Sequence, residues 1–513
     1  MADNYFLVID AGTGGGRCLI FDEEGKLHTI AYEEWIFDTP AEVAPLGKEF
    51  NPDKFWEIIC KVSKQALKQA NLKPDQIRAI SATSFREGSV FIDRNGKELY
   101  AGPATDLRAL SEGMNIKTQF GKKVYQLTGH TPPFMFASAR LKWFKEKRTD
   151  IYNQIHRVLM MNDWILFKFS GEAYTEPTNA CETELFDIHT LTWSKEILDL
   201  LELRDDIFPD IVMAGTKIGE VTKRAAAETS LKEGTPVIMA GADSQCSMLG
   251  MGLIEEGQMG IIAGTTLPLQ MIVSRPIIDE KTRIWTNNYL LSNKWIIESH
   301  AGDSGKVYRW FRDNVADYER ITAIQQGKNA FDLLNDLAKD VAPGSEGIFA
   351  FLGPMIIDFS AVGPMGYGGF LIPMPLFMGN YGKKQFVRAF LENMAFAIFG
   401  ACLQLEEISQ LKLNEANMCG GLANSEVLVQ IIADTLRIPI KTYQTVEATG
   451  LGTAICAALG SGVYSNIPTA IANMVHLKKV IEPGPNQKIY KKLFKKWLKI
   501  YEKLQQIPSP TGL

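Results

Sequence analysis

Two short stretches, one near the start of each half of the chain, decide the fold. The first is Phe6-Leu-Val-Ile-Asp-Ala-Gly-Thr13, followed by Arg17-Cys-Leu-Ile-Phe21. The second is Gly260-Ile-Ile-Ala-Gly-Thr265, followed by Leu269-Gln-Met-Ile-Val273. Each reads as a strand, a Gly-Thr turn and a second strand, and the turn glycines let backbone amides point outward together. We therefore predict two similar domains that each offer one loop to a shared ligand.

Short apolar runs alternate with helical patterns along the rest of the chain, which predicts an α/β protein. Further strands are expected at Ile77–Thr83, Val90–Ile92 and Val237–Ala240. Helices are expected at Asp53–Ala70, Ala137–Lys147, Gln385–Glu407 and Ser425–Leu436. We place a boundary near Gly250–Gly257 and predict domains 1–249 and 250–482 with a helical tail at 483–513. The tail has aromatic residues at helical spacing, namely Tyr490, Phe494, Trp497 and Tyr501.

Composition narrows the functional class. The 513 residues are 46% hydrophobic and 22% charged, which excludes a mainly disordered chain and a disulfide scaffold. There are 54 basic and 59 acidic residues, so no basic excess indicates nucleic acid or anionic lipid as a partner. Seven dispersed cysteines without a CxxC pair favour reduced thiols in a cytoplasmic protein. A homodimer stays open as an alternative to a single chain.

One uncharged segment has the length of a membrane span. Phe359 to Gly382 covers 24 positions without a charged residue. It contains six glycines and three prolines, which would break a lipid-exposed helix repeatedly. We therefore expect buried loop and strand here and no membrane partner.

Asp10-Ala-Gly-Thr-Gly-Gly-Gly-Arg17 is the strongest local signal for chemistry. A carboxylate at the end of a buried strand is costly unless it is paired or holds a cation. The turn after it has four glycines in five positions, so that amides can approach phosphate oxygens closely. The alternative is a plain glycine-rich hairpin.

Two more polar groups follow predicted strands. Asp243, in Ala240-Gly-Ala-Asp-Ser-Gln-Cys246, stands where ligands bind in α/β sheets and could accept a proton from a substrate hydroxyl. The alternative is a helix N-cap. Arg86-Glu87 combines fixed donors with an acceptor, which suits vicinal hydroxyls, and the alternative is a surface ion pair.

Two small-residue segments mark the second half. Cys419-Gly-Gly-Leu-Ala-Asn424-Ser425 opens a helix and leaves room for a flat or anionic group, with Asn424 able to meet a base edge. Glu447-Ala-Thr-Gly-Leu-Gly-Thr-Ala454 is interpreted mainly as close helix packing. The six histidines show no zinc-ligand spacing, and there is no GxSxG motif to indicate a serine hydrolase.

Together these motifs resemble the FGGY carbohydrate kinases of the actin-like, hexokinase-like ATPase superfamily. The resemblance covers nearly the whole chain in order and implies two actin-like (ribonuclease H-like) domains with a cleft between them, ATP and Mg²⁺ as cofactors, and a small sugar or polyol as substrate. Asp243 matches the family's catalytic base. The other implied substrate-binding residues are Arg86, Glu87 and Gln245, and the implied metal ligands, acting through water, are Asp10 and Asp243. The implied ATP-binding residues are Gly12, Thr13, Gly14, Arg17, Gly264, Thr265, Thr266, Gly420, Gly421 and Asn424.

Within the family, the first half is most similar to the autoinducer-2 kinases. The matching residues are Ile9–Thr13, Glu49-Phe50, Ser84–Gly88, Asn162-Asp-Trp164, and Ser170-Gly-Glu172 through Glu176-Pro-Thr-Asn179. The implied substrate is then the open-chain precursor dihydroxypentanedione. Xylulokinases and other pentulose or polyol kinases (glycerol, erythritol, gluconate) share the framework and remain alternatives, as does a degenerate kinase that acts as a sensor. The family usually has Lys where Arg140 stands and hydroxyls where Gly14-Gly15-Gly16 stand.

Overall fold

A computed structural model describes residues 4–360, 366–376, 379 and 381–507. The strands, in chain order, are β1 (Tyr5–Gly12), β2 (Gly15–Asp22), β3 (Leu27–Glu34), β4 (Ile77–Ser84), β5 (Ser89–Ile92), β6 (Glu98–Gly102), β7 (Arg157–Met160), β8 (Tyr174–Thr175), β9 (Phe186–Asp187), β10 (Thr192–Trp193), β11 (Asp210–Ile211), β12 (Lys217–Glu220), β13 (Pro236–Ile238), β14 (Met259–Ile262), β15 (Thr266–Val273), β16 (Trp285–Asn288), β17 (Trp295–Asp303), β18 (Phe349–Phe351), β19 (Gly369–Leu371), β20 (Ala416–Cys419), β21 (Ile440–Tyr443) and β22 (Leu477–Ile481).

The α-helices are α1 (Pro52–Ala70), α2 (Leu110–Thr128), α3 (Ala137–Lys147), α4 (Thr149–Tyr152), α5 (Met161–Ser170), α6 (Pro177–Cys181), α7 (Lys195–Leu200), α8 (Lys223–Thr229), α9 (Asp243–Gly250), α10 (Gly305–Val315), α11 (Asp317–Gln326), α12 (Ala330–Lys339), α13 (Lys383–Ser409), α14 (Glu426–Leu436), α15 (Ala448–Gly460), α16 (Ile467–Met474) and α17 (Gln487–Leu504). Every strand and helix predicted from the sequence is present, with shifts of a few residues at the ends. The α/β class is confirmed.

The chain forms two compact units that are not contiguous in sequence. The first consists of the chain up to Ile254 together with Val273–Ile296 and Glu447–His476. The second consists of Glu255–Ile272, Ile297–Val446 and the chain from Leu477 onward. This division differs from domains 1–249, 250–482 and 483–513, which stay a prediction.

The central sheet of the first unit has the strand order β12-β13-β4-β1-β2-β3. Its strand β1 pairs antiparallel with β2 and parallel with β4, and β4 pairs parallel with β13. The carboxyl ends of β1, β4 and β13 therefore meet at one edge of the sheet. Asp10, Arg86 and Asp243 stand at or just after these three ends, so the topology brings together side chains that lie far apart in sequence.

Apolar residues explain why these elements form. The strand β1 is buried from Tyr5 to Ala11, as expected for a central strand covered on both faces. Helix α1 begins after Asn51, whose side chain accepts a hydrogen bond from the Lys54 amide, and it has Pro52 in its first turn. Its inner face includes Phe55, which stacks on Trp35 with ring centroids 4.1 Å apart. These contacts form part of the core beneath the sheet.

The sheet of the second unit repeats the arrangement. The strands of this sheet that lie in the second unit run in the order β17-β15-β14-β20-β21-β22. Strand β14 forms an antiparallel hairpin with β15 and pairs parallel with β20, just as β1 does with β2 and β4. The predicted likeness of the two strand–turn–strand segments is confirmed. Here too the carboxyl ends of two parallel strands, β14 and β20, place Gly264 and Gly420 at one edge.

The uncharged stretch 359–382 is only partly as expected. Residues 361–365, 377, 378 and 380 lie outside the described residues. The rest contains loop and the short strand β19, which pairs antiparallel with β18. The prediction that this stretch is buried is wrong for Tyr367 and Met374, which are 54% and 77% exposed. In the described part of this stretch, glycines and prolines interrupt regular structure, and the short strand β19 offers no continuous apolar face, so these side chains stay in solvent.

Two helices of the second unit have long apolar faces. Helix α13 alone, within the described residues, is long and apolar enough to cross a membrane by length and composition, yet most of it is buried inside the protein. Phe390, Met394 and Ile398 are fully buried, so α13 is a core helix. Helix α17 buries Tyr490, Phe494, Trp497 and Tyr501, the four residues whose spacing predicted it.

Candidate active site

Asp243 is the first residue of α9, one residue after the N-cap Ala242. The N-cap alternative is therefore wrong: the carboxylate does not cap the helix but accepts a hydrogen bond from the adjacent Ser244 amide at 2.7 Å. Enclosure by the protein raises the pKa of Asp243 to about 7; Arg86 opposes this rise, and Asp10 and Glu87 add to it. A carboxyl group with a pKa near neutral, beside a cation and two further carboxylates, has the properties of a general base.

Asp10 is held by a cation from the neighbouring strand. Arg17 stands directly opposite Asp10 in the antiparallel register of β1 and β2 and donates a hydrogen bond to its carboxylate. The same guanidinium donates to Glu447 at 2.8 Å. Its pKa is raised chiefly by Asp10, with Glu447 and Asp243 contributing. The buried carboxylate at the end of β1 is thus paired, as the cost of burial requires.

Arg86 and Glu87 lie in the loop after β4 and are largely buried, with side chains 12% and 10% exposed. The surface-pair alternative is therefore wrong. The guanidinium of Arg86 lies 4.0 Å from the Glu87 carboxylate and 3.6 Å from that of Glu182, and 5.4 Å from the centre of the Trp285 ring. Glu87 has a φ of 61°, a backbone conformation that is uncommon for a side-chain-bearing residue and often marks functional sites.

Three of the residues around this pair, Glu182, Asn287 and His130, belong to no motif recognised in the sequence. The Asn287 amide donates to Glu182 at 2.7 Å, and the His130 ring lies 3.9 Å from the other Glu182 oxygen. The fully buried Arg140 donates to the backbone carbonyls of Glu87 and Pro103. Arg140, where Lys is usual, thus anchors the loop that carries the acidic member of the pair. These contacts join residues that are 37 to 105 positions apart, which no local spacing predicts.

Gln245 is buried in α9 two residues after Asp243. Its carbonyl oxygen accepts a hydrogen bond from the Ser244 hydroxyl at 3.2 Å. Its amide nitrogen has no hydrogen-bond partner among the described residues. A buried donor of this kind is available to a ligand, and the substrate-binding role of Gln245 stays a prediction.

The first glycine-rich loop is a two-residue hairpin turn, with Gly12 paired to Gly15 and Thr13-Gly14 exposed at the tip. Tyr32 and Trp35 donate to the carbonyls of Gly14 and Gly12 at 3.2 and 3.1 Å. A Cβ at Gly15 would lie 2.4 Å from the carbonyl oxygen of Glu33. Glycine is therefore required at Gly15 by the neighbouring strand, and the exposed tip is the part open to a ligand.

The second loop, Gly264–Thr266, is exposed at the end of β14. The backbone amides of Gly305 and Lys306, at the start of α10, donate to the carbonyls of Gly264 and Thr265, each at 3.2 Å. These two hydrogen bonds hold the backbone of the loop against the start of α10. The loop's threonine side chains remain open to solvent.

The Gly420-Gly421 segment lies beside this second loop within the same unit. Gly420 has a φ of 86°, and a Cβ there would lie 2.5 Å from the Ala263 carbonyl. A Cβ at Gly421 would meet open space. Asn424 is exposed at the end of a short 3-10 helix, and Ser425 caps α14 through the Leu428 amide. The second unit thus presents an open, glycine-lined surface between two loops.

The Glu447–Ala454 segment packs as interpreted from its small residues. Helix α15 lies against α9, the helix that begins with Asp243. A Cβ at Gly452 would lie 1.9 Å from the Cys246 carbonyl, and one at Gly250 would lie 1.9 Å from the Ala448 carbonyl. The glycines therefore allow the two helix backbones to touch.

Comparison with known proteins agrees with this arrangement. The N-terminal domain model of the FGGY family of carbohydrate kinases matches residues 5–250, and the C-terminal domain model matches residues 259–461. The autoinducer-2 kinase of Enterobacter sp. (strain 638) is 32% identical, over 97% of this chain and 94% of its own. That of Yersinia enterocolitica serotype O:8 is 33% identical with the same coverage.

Solved structures show the same fold. The ligand-bound xylulose kinase from Lactobacillus acidophilus superposes with a TM-score of 0.84 at 21% identity, covering 98% of this chain and 99% of that one. The Plasmodium falciparum glycerol kinase with ADP gives a TM-score of 0.82 at 18% identity, covering 99% of each chain. The predicted actin-like fold of sugar kinases is confirmed. From the full-length family match we conclude that the chain belongs to the FGGY carbohydrate kinases and is a phosphotransferase with an alcohol group as acceptor.

Proposed function

We propose that this FGGY kinase transfers the γ-phosphate of ATP to a hydroxyl of the open-chain autoinducer-2 precursor, dihydroxypentanedione. The observation that supports this substrate is the match to relatives named autoinducer-2 kinase, at 32 to 33% identity over 97% of the chain. The second candidate is a pentulose such as D-xylulose, because a xylulose kinase shares the fold with a TM-score of 0.84. A sensor without turnover would not need Asp243 in its present surroundings.

Asp243 is the proposed base. Its carboxylate removes the proton from the acceptor hydroxyl, the resulting oxygen attacks the γ-phosphorus in line, and ADP leaves. The raised pKa supports this role, because a carboxylate with a pKa of about 7 is a stronger base than an ordinary aspartate, and about half of it is ionised at pH 7. Its intermediate exposure leaves the carboxylate accessible to a substrate.

Arg86 and Glu87 are the proposed contacts to the other oxygens of the acceptor. Both are close enough to Asp243 to shift its pKa, so a small molecule that reaches Asp243 also reaches them. The guanidinium would donate to a hydroxyl or carbonyl oxygen, and the Glu87 carboxylate would accept from a hydroxyl. Gln245 would donate through its unpartnered amide.

Nucleotide binding is assigned to three loops. In the first unit the exposed tip at Thr13-Gly14 would contact phosphate. In the second unit Gly264–Thr266 would do the same, while Gly420, Gly421 and Asn424 would hold the adenosine. Arg17 already contacts two carboxylates, so its proposed contribution is to neutralise the charge of Asp10 near the phosphates.

Asp10 and Asp243 fit Mg²⁺ as donors, because they are carboxylates close enough to interact electrostatically and Mg²⁺ prefers oxygen ligands. Within the described part of the chain, no group of three or more His, Cys, Asp or Glu side chains is arranged to hold a metal ion. Mg²⁺ is commonly held by one or two carboxylates with substrate phosphates and waters, which the two aspartates can provide. When bound, the ion would neutralise charge on the transferred phosphoryl group.

A cytoplasmic location is part of the proposal. It is supported by the seven dispersed cysteines, which are all buried and include no CxxC pair. The proposal includes no nucleic-acid or membrane partner, and it leaves the homodimer open.

A competition assay tests the substrate. Equimolar dihydroxypentanedione, D-xylulose, glycerol and gluconate are incubated with the enzyme and Mg·ATP, and the phosphorylated products are quantified by mass. We expect phosphorylated dihydroxypentanedione to dominate, because one mismatched hydroxyl contact costs orders of magnitude in kcat/KM. Dominance of xylulose phosphate would instead establish the second candidate.

A further inference from the structure

The loop that carries the chain from β13 to Asp243 is held by side chains from three other elements. Residues 240–242 belong to no strand and precede α9. Their backbone groups form hydrogen bonds with buried polar side chains of three elements. Asn162 Nδ2 on α5 donates to the Ala240 carbonyl at 3.3 Å, and Thr83 Oγ1 on β4 donates to the Gly241 carbonyl at 2.8 Å. Thr178 Oγ1 on α6 accepts from the Ala242 amide at 2.9 Å.

Of these three side chains, Thr178 bonds to the residue that immediately precedes Asp243, and its hydroxyl both accepts and donates a hydrogen bond. While it accepts from the Ala242 amide, it donates to Glu176 Oε2 at 2.5 Å. The same carboxylate oxygen accepts from the Thr178 backbone amide at 2.8 Å. Thr178 and Glu176 are fully buried, so no water competes for these bonds. The Glu176 carboxylate thereby fixes the orientation of the Thr178 hydroxyl.

The loop is packed directly on this pair. A Cβ at Gly241 would lie 2.5 Å from Thr178 Oγ1 and 3.0 Å from Glu176 Oε2. The carbonyl of Ala242 accepts from the Cys246 amide at 2.9 Å, which begins α9. A shift of Ala242 would therefore move the start of the helix and the Asp243 carboxylate with it.

We propose that Thr178, oriented by Glu176, is a positioning residue for phosphotransfer: it holds the Ala242 amide and so fixes the Asp243 carboxylate against the acceptor hydroxyl. This inference rests on the proposed role of Asp243 as the base. A displacement of a base by about 1 Å can reduce the rate about a hundredfold, so the hydrogen bonds that hold this loop in place affect the rate of phosphotransfer. Thr178 itself does not contact the substrate.

The test is Thr178→Val, which keeps the shape of the side chain and removes the hydroxyl. We expect kcat to fall about ten- to a hundredfold while KM for the sugar and the affinity for ATP change less than about threefold. Thr178→Ser restores the hydroxyl and is expected to recover kcat to within about threefold of the wild type. Wild-type kcat in Thr178→Val, whatever its melting temperature, would overturn the proposal.

Thr229→Val is the matched control. Thr229 is also fully buried, donates to the Ala225 carbonyl at 2.6 Å and accepts from the Leu231 amide at 3.3 Å, but it lies at the end of α8. This variant should lose stability and keep its kcat. A matching loss of kcat there would show that any buried hydroxyl has this effect, which also overturns the proposal.

Two further variants complete the design. If Thr178→Val does not fold, Thr83→Val removes the bond to the Gly241 carbonyl and carries the same expectation, with Thr83→Ser as its rescue. Asp243→Asn in the same assay separates the two claims. Full activity of Asp243→Asn contradicts the proposed base, whereas an inactive Asp243→Asn beside a fully active Thr178→Val contradicts only the positioning role.

Discussion

At the scale of single residues, Asp243 shows how the fold prepares a carboxyl group for proton transfer. Its enclosure favours the neutral form and raises its pKa to about 7, while Arg86 keeps the pKa from rising further. An exposed aspartate is a much weaker base, with a pKa of about 3.9. The difference makes the reaction sensitive to pH in the physiological range.

We predict that kcat/KM for the sugar falls as the pH drops below about 7 and levels off above it, since the protonated carboxyl cannot accept a proton. The limiting slope is about tenfold per pH unit. Initial rates between about pH 5.5 and 8.5, at saturating Mg·ATP so that the nucleotide's own titration does not enter, measure this. A flat profile would show that Asp243 titrates like an ordinary aspartate.

Arg86 is predicted to act on the acceptor and not on ATP. Arg86→Ala removes charged hydrogen bonds, so we expect KM for the sugar to rise about 10- to 100-fold while ATP affinity changes less than about threefold. Because Arg86 lowers the pKa of Asp243, the acid limb of the pH profile should also move to higher pH. The control is Arg94→Ala, an exposed arginine in the same unit. Equal losses in both affinities would contradict this placement.

Residues at the ends of strands could be predicted from sequence, and their partners could not. Asp10, Arg86 and Asp243 each follow an apolar run, which marks them as candidates. No such apolar run precedes His130, Glu182 or Asn287. These three residues reach the site only through tertiary contacts. Likewise, the sequence suggests that Gly15 is a glycine because its backbone contacts phosphate. The structure gives a different reason: the neighbouring strand β3 leaves no room for a side chain at this position.

At the scale of elements, close packing against α15 holds α9, the helix that begins with Asp243, in position. The two backbones approach so closely that Gly452 has no room for a methyl group. The small-residue pattern predicted close packing, but the identity of the partner helix, some 200 residues earlier in the chain, follows only from the structure.

A pair of glycine substitutions tests this contact. Gly452→Ala should destabilise the protein by about 1 to 3 kcal/mol, because the added Cβ would lie 1.9 Å from the Cys246 carbonyl. Gly121→Ala in α2, where the nearest atom would be 3.5 Å away, should stabilise it by about 0.5 to 1 kcal/mol through helix propensity. Denaturant unfolding measures both. Equal effects would contradict the close approach of α9 and α15.

At the scale of the whole molecule, the α/β class and the repeated hairpins could be predicted from the sequence, whereas the assembly of each compact unit from separate segments could not. The periodicity of apolar residues depends only on the sequence of each element itself, so the strands and helices could be recognised. The return of Glu447–His476 to the first unit depends on contacts between distant segments. That return brings Glu447 to Arg17 and so completes the charge cluster at Asp10.

The role of Asp243 as the base is tested most directly by comparing sugar-dependent ADP release by the wild type and Asp243→Asn, with ATP affinity measured on the same preparations. We predict at least about a hundredfold loss of kcat in the variant, since it removes the base, with an ATP dissociation constant within about twofold of the wild type. Near-normal turnover in Asp243→Asn would show that Asp243 does not accept the proton from the acceptor hydroxyl.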